Sequence, residues 1–198
     1  MRRTQQDRSA GTRTALTTAA RELFTTRGYQ AVPAEEITRT AGVTRGALYH
    51  HFGDKQGLFR AVVEEVEREI TAEVEAALEQ APDTLTGMAA ALSVFLDICL
   101  RDDVRRISLT DAPAVLGWEA WRELEAEYGL KLLVDALAGA HAEGLLVDLP
   151  LRTLAQLVLS AVMEAARMIA AAEDPARVRA EAEQVFAGWL GSLLRPAG

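Results

Sequence analysis

Between residues 33 and 52 the chain reads PAEEITRTAGVTRGALYHHF, and hydrogen-bonding side chains cluster in its second half. Thr44, Arg45, Tyr49 and His50 surround Gly46, and Lys55 follows shortly after. Their chemistry is recognition: arginine and histidine are donors for base edges or phosphates, tyrosine is an amphipathic contact residue, and glycine lets a backbone approach closely. The charge pattern fits the same chemistry. Residues 1–60 hold ten Arg or Lys against five acids, a surplus of +5, while the other 138 residues carry −13 of the net −8. A basic module that touches a polyanion and an acidic module that does not would produce this asymmetry.

Other chemistries find little support. One cysteine, Cys99, and three histidines make a poor metal inventory, and the sequence gives no reason to expect a cofactor. Beyond residue 80 there is one histidine, His141, with no Gly-rich phosphate loop and no nucleophile set beside a base, so an enzyme is not expected. No uninterrupted apolar run approaches the roughly 20 residues of a membrane span, and the polar start MRRTQQDRSAGTRT lacks a secretory h-region. A cytoplasmic protein with no membrane partner is the expectation.

The elements that must hold the donors are helices. A first helix opens near Ser9 or Thr12 and ends at Arg27, stopped by Gly28, with Leu16, Ala19, Ala20, Leu23 and Phe24 as its apolar stripe. Pro33 starts a second helix that Gly42 breaks, and Thr44 caps a short third. Helix, Gly-bearing turn and helix make a helix-turn-helix, its small core formed by Ile37, Ala41, Val43, Leu48 and Phe52. Arg45, Gly46, Tyr49 and His50 then face outward, and His51 packs inward. No acid at helical spacing accounts for Arg45.

A fourth helix runs from about Lys55 to Gln80 on a four-residue apolar spacing: Leu58, Val62, Val66, Ile70, Val74 and Leu78. A fifth reaches about Leu100, short helices fill 101–117, and further helices cover Trp118–Glu143, Pro150–Ala172 and Pro175 to near Arg195. The expected fold is therefore all-α with about nine helices.

At ARELFTTRGYQAV and EEITRTAGVTRGALYHHFGDKQGLFRAV, over residues 12–65, the chain resembles the tetracycline-repressor (TetR) family. The resemblance rests on Gly28-Tyr29, on Ala41-Gly42-Val43-Thr44, on Gly46-Ala47-Leu48-Tyr49 and on the His51-Phe52 pair, all at that family's spacing. It implies an amino-terminal DNA-binding domain over 1–54, a connecting helix over 55–80 and a ligand-binding and dimerisation domain over 81–198. It further implies that Thr44, Tyr49 and Lys55 bind phosphates, that Arg45 and Gly46 meet base edges, and that His50 touches one or the other. One position departs from the pattern. Val32 and Pro33 stand where that family usually carries the Ser or Thr that binds phosphate, which leaves Thr38 or Arg39 for that contact.

In the larger domain, Leu92, Phe95, Trp118, Trp121, Tyr128 and Met163 either line an apolar pocket or build core. Ser160, Glu164 and Arg167 share a helix face, to orient a ligand or to pair across a dimer. The resemblance implies a four-helix dimer bundle, with Leu154, Val158, Ala161, Ala165, Val185, Trp189 and Leu193 as contacts. The function implied is a homodimeric repressor, bound to double-stranded operator DNA and released by an unidentified small, largely apolar effector. A solidly packed interior would instead mean a DNA-binding scaffold with no ligand.

Overall fold

The computed structural model describes residues 5–195, and side chains from residue 9 onward. Its helices are α1 (Gln5–Arg27), α2 (Ala34–Thr40), α3 (Arg45–Phe52), α4 (Lys55–Glu79), α5 (Thr84–Ile98), α6 (Ala112–Leu116), α7 (Trp118–Glu125), α8 (Lys131–Ala142), α9 (Leu151–Ala171) and α10 (Pro175–Gly191). Two π-helical stretches complete the set: π1 (Val104–Asp111) runs into α6, and π2 (Ala126–Leu130) joins α7 to α8. Counted as unbroken helical paths, these make nine among the described residues. No strand occurs among them, and only Leu146 and Leu194 form an isolated bridge.

Local chemistry sets the boundaries. Gly28 takes φ +77°, a left-handed conformation that ends α1 at little cost, and its N–H donates to the Phe24 carbonyl at 2.8 Å. The Thr44 hydroxyl accepts from Ala47 N at the start of α3. Asp83 and Asp174 likewise cap α5 and α10. Two expectations need correction. The single helix over Trp118–Glu143 is interrupted by π2, whose i→i+5 bonding shifts the register of everything beyond it. The last helix stops at Gly191 rather than near Arg195, because the backbone there turns back to pair with 145–147. Val147 N donates to the Leu193 carbonyl at 3.0 Å, and Arg195 N to that of Leu145 at 2.9 Å.

Contacts divide the described chain into two compact units, one holding residues up to Val66 with 102–121, the other 67–101 with 122 onward. In the first, Leu16, Phe24, Ile37, Leu48, Leu58 and Phe59 are wholly buried. Phe24, Tyr29 and Phe59 form a ring cluster with centroids 4.9–5.6 Å apart. The segment 102–121 is tied into this unit by polar bonds: Arg21 to Asp103 at 2.6 Å, Tyr29 N to Asp111 at 2.7 Å, and Gln56 Nε2 to the Val115 carbonyl at 2.7 Å. Gly57 at the start of α4 has no room for a side chain, since a Cβ there would lie 2.0 Å from the Phe52 carbonyl oxygen.

The second unit packs α8 against α9 around Leu137, Ala140, Leu154, Ala155 and Val158, with Leu190 and Leu193 beside them. Arg179 of α10 reaches α5, donating to Asp97 at 2.7 Å and to Ser93 Oγ at 2.6 Å. By length and composition α9 could cross a membrane. Here one side of it is buried, from Leu154 and Ala155 through Met163 to Ile169, and it carries Arg152, Glu164 and Arg167.

Candidate nucleic-acid interface and a cavity

Each helix of the reading head turns its apolar side inward, which leaves the donors outside. On α3 Leu48 is buried, whereas Thr44, Arg45, Gly46, Tyr49 and His50 are all exposed. Nothing crowds Gly46 except Thr44 Oγ1 at 3.9 Å. This is a face from which a helix can reach a groove.

Arg45 is the best-engaged residue on it. Its Nη2 donates to the Tyr49 hydroxyl at 3.0 Å, its guanidinium lies 5.3 Å from that ring's centre, and its Nη1 meets Glu35 Oε1 at 2.6 Å. The hydrogen bond to Tyr49, then the Glu35 charge, raise its pKa above the ordinary arginine value. Glu35 sits on α2, ten positions earlier and across the turn. No acid stands at helical spacing from Arg45, as expected, but helical spacing could not reveal this partner across the turn. Lys55 is turned inward: Nζ donates to the Tyr29 carbonyl at 2.7 Å and stands 3.9 Å from that ring's centre, and burial lowers its pKa. The sequence offered no signal for this contact, because Tyr29 lies in the α1–α2 turn.

Of the two alternatives for the missing hydroxyl, Thr38 is buried and bonds the Glu35 carbonyl at 3.1 Å, so it is not available. Arg39 has a highly exposed side chain, 3.8 Å from Glu36. Val32 is fully buried, and Pro33 precedes α2 with no side-chain cap. His51 is half-buried between His50 and Phe52.

In the second unit Leu92, Phe95, Tyr128 and Met163 all line a cavity of about 140 Å³, together with Ile70, Val74 and Leu78 of α4. Trp118, Trp121 and Arg167 are not part of that wall. Trp118 is 63% exposed and Trp121 is buried in the first unit. Arg167 pairs with Glu164 at 2.6 Å. Ser160 bonds the Gln156 carbonyl within its own helix.

The residues expected at a dimer contact separate by exposure. Leu154, Val158 and Ala165 are buried within the second unit, and Leu193 packs beside its core. Ala161 is half-buried, and Val185 and Trp189 are exposed. Leu157 and Met168 are also exposed, at 59% and 55%; the apolar period of α9 admits two faces, and only packing decides which is inner.

Comparison with known proteins agrees with this layout. Residues 16–62 match the family described as bacterial regulatory proteins, tetR family, and residues 85–193 match the tetracyclin repressor-like C-terminal domain. A transcriptional repressor of the helix-turn-helix type from Mycobacterium tuberculosis is 30% identical over 91% of this chain and 94% of its own length. The transposon Tn10 TetC protein of Escherichia coli is 32% identical, over 63% of this chain and 62% of its own length. A crystal structure of a TetR-family transcriptional regulator from Pectobacterium atrosepticum has a TM-score of 0.87 and 32% identity, covering 98% of this chain and all of that one.

Proposed function

The chain belongs to the tetR family of bacterial regulatory proteins, and on that premise we propose that it acts in the cytoplasm as a homodimeric repressor, released from double-stranded operator DNA by a small, largely apolar effector. That it is a DNA-binding transcriptional regulator, not an enzyme, follows from the family itself. The observation that carries the finer reading is the outward face of α3, where every residue suited to DNA is exposed and the apolar one is buried.

Arg45 and Gly46 are assigned to base edges, Thr44 and Tyr49 to phosphates, and His50 to either. Lys55 reaches a phosphate by leaving Tyr29. A dimer is physically required if two such helices are to enter successive major grooves, roughly 34 Å apart. Its contact is assigned to the exposed apolar residues Leu157, Met168, Val185 and Trp189, with Ala161 between them.

Release is assigned to α4. Its later turns supply Ile70, Val74 and Leu78 to the cavity wall, and its first turn carries Lys55. A molecule that binds one setting of this helix more tightly weakens DNA binding by the same factor, typically about 5–150-fold.

Selection from a random duplex library tests the reading. Enriched sequences should contain an inverted repeat with half-sites about one helical turn apart. Failure to enrich any repeat would remove the operator-binding dimer. Trp189→Glu should sediment as monomer and lose the enriched site; a stable Trp189→Glu dimer would move the interface elsewhere.

A further inference from the structure

Helix α1 outruns the core it serves. It begins at Gln5, yet its first buried residue among the described side chains is Leu16, and Ser9, Ala10, Gly11, Arg13 and Thr14 are exposed. Over residues 9–14 no apolar side chain larger than alanine occurs, and the space beside Gly11 is open to 4 Å. A glycine inside a helix weakens it, and a stretch that is polar all round recovers nothing by packing. These turns add no buried side chain to the reading head, while the charge of the segment is one-sided. Residues 1–14 hold Arg2, Arg3, Arg8 and Arg13 against Asp7 alone.

Arg13 has the place to use that charge. Its guanidinium lies 4.6 Å from the ring centre of Phe52, the last residue of α3. Phe52 follows Tyr49 by three residues, one turn along the same side of the helix. The cation therefore stands at the rim of the exposed face and is continuous with it. A recognition helix meets base edges through its amino-terminal residues, so a cation at its far end meets backbone instead.

Arg13 also has the chemistry to spare. Every other arginine with a described side chain in this unit, from Arg21 to Arg106, has an Asp or Glu oxygen within 3.9 Å. Among the described residues Arg13 has no such acid, and its contact is the Phe52 ring. A cation held on a ring face gives up none of its N–H donors to a carboxylate.

We infer that Arg13 binds a DNA phosphate, reached from the amino-terminal turns of α1 at the carboxyl end of α3. With Thr44 assigned to a phosphate at the other end, the recognition helix is held to the backbone at both ends. A backbone contact adds affinity for every duplex and no sequence preference. The inference rests on the chain's binding DNA, and it gives that activity a residue outside the helix-turn-helix.

Fluorescence anisotropy of the full chain over a range of salt concentrations tests it, with an operator duplex from the selection above and a random duplex of equal length. Arg13→Ala should lower the slope of log affinity against log salt by about one on both duplexes, and weaken both several-fold at low salt. Arg13→Lys keeps the charge and should return the slope to the parent value. The urea midpoint of Arg13→Ala should stay where it is, since the side chain is exposed. An unchanged slope overturns the inference. So does a loss confined to the operator, which would make Arg13 a reader of bases. A lowered midpoint with the parent slope overturns it too, because the Phe52 contact would then be structural only. A parent chain that binds neither duplex removes the DNA-binding reading and the inference together; a parent that binds while Arg13→Ala binds identically removes the inference alone.

Discussion

On α3 and its N-cap the residues suited to DNA sit between Thr44 and His50 on one exposed face, whereas the cavity of the second unit draws its wall from α4, α5, α7, π2, α8, α9 and α10. The first site is local in sequence and external in space, and the second is neither. Each placement follows from its physics. Phosphates and bases are met by donors that remain hydrated until contact, so a single short helix with one buried residue, Leu48, suffices to present them. An apolar guest has to be taken out of water on every side, which no single helix can do. Chemistry and stability are consequently separable on α3 and entangled around the cavity.

The largest expected effect tests whether the two units are also separable in folding. Phe59 is fully buried and packs edge-on against Phe24 and Tyr29 at 5.3 and 4.9 Å. Phe59→Ala should cost about 3–5 kcal/mol through lost burial and the void left behind. DNA binding should disappear while calorimetric binding in the cavity stays within a few-fold of the parent chain. Simultaneous loss of both would show one cooperative body and erase the contrast.

Arg45→Ala comes next and should leave stability alone. We expect a roughly ten- to hundredfold loss at the operator with relaxed base choice at one position per half-site, and a smaller loss on random duplex. Equal loss on both, read by fluorescence anisotropy, would reassign Arg45 to phosphate.

The same contrast decides what was legible beforehand. Pro33, Gly42, Thr44 and Gly53 mark the ends of α2 and α3 within a residue or two, because turn and cap chemistry is written locally. The exposed set on α3 could be read for the same reason. Trp121 and Tyr128, seven residues apart, would share a face of a regular α-helix. The π2 stretch inserts an extra fraction of a turn between them, and Tyr128 reaches the cavity while Trp121 does not. Nothing in Ala126–Leu130 announces a π-helix. The placing of Leu154 and Val158 met the same obstacle: a helix rich in Ala and Leu has two apolar faces, and these two residues pack against α8 and the 145–147 segment.

A smaller effect belongs to Cys99, buried in the second unit, whose thiol pKa is pushed up to about 12 by burial and then by Glu67. An acid held protonated in the folded state adds stability that is fully present below its unfolded pKa, near 9. That contribution is lost progressively as pH rises toward 12. Between pH 8 and 10 the parent chain should therefore lose about 1 kcal/mol more than Cys99→Ala, measured by urea unfolding. Parallel curves would mean the thiol never ionises against the fold.

The smallest effect concerns Glu35, and it asks whether the exposed site is as uncomplicated as its location suggests. Its carboxylate holds Arg45 at 2.6 Å, with both side chains about 60% exposed. A pair this open adds little to stability, so Glu35→Gln should leave the unfolding midpoint unchanged. On DNA, two consequences point the same way: the guanidinium is released, and one negative charge leaves the side of the head that approaches phosphate. Affinity for random duplex should rise a few-fold, more at low salt than at high. The operator then discriminates between two roles. If Glu35 only restrains Arg45, operator affinity rises in step and the specificity ratio is unchanged. If the carboxylate itself accepts from a cytosine amino group, Glu35→Gln weakens the operator while tightening random DNA, and the ratio falls. No change on either duplex would show that Arg45 leaves Glu35 at no cost, and the recognition face would then act through its donors alone.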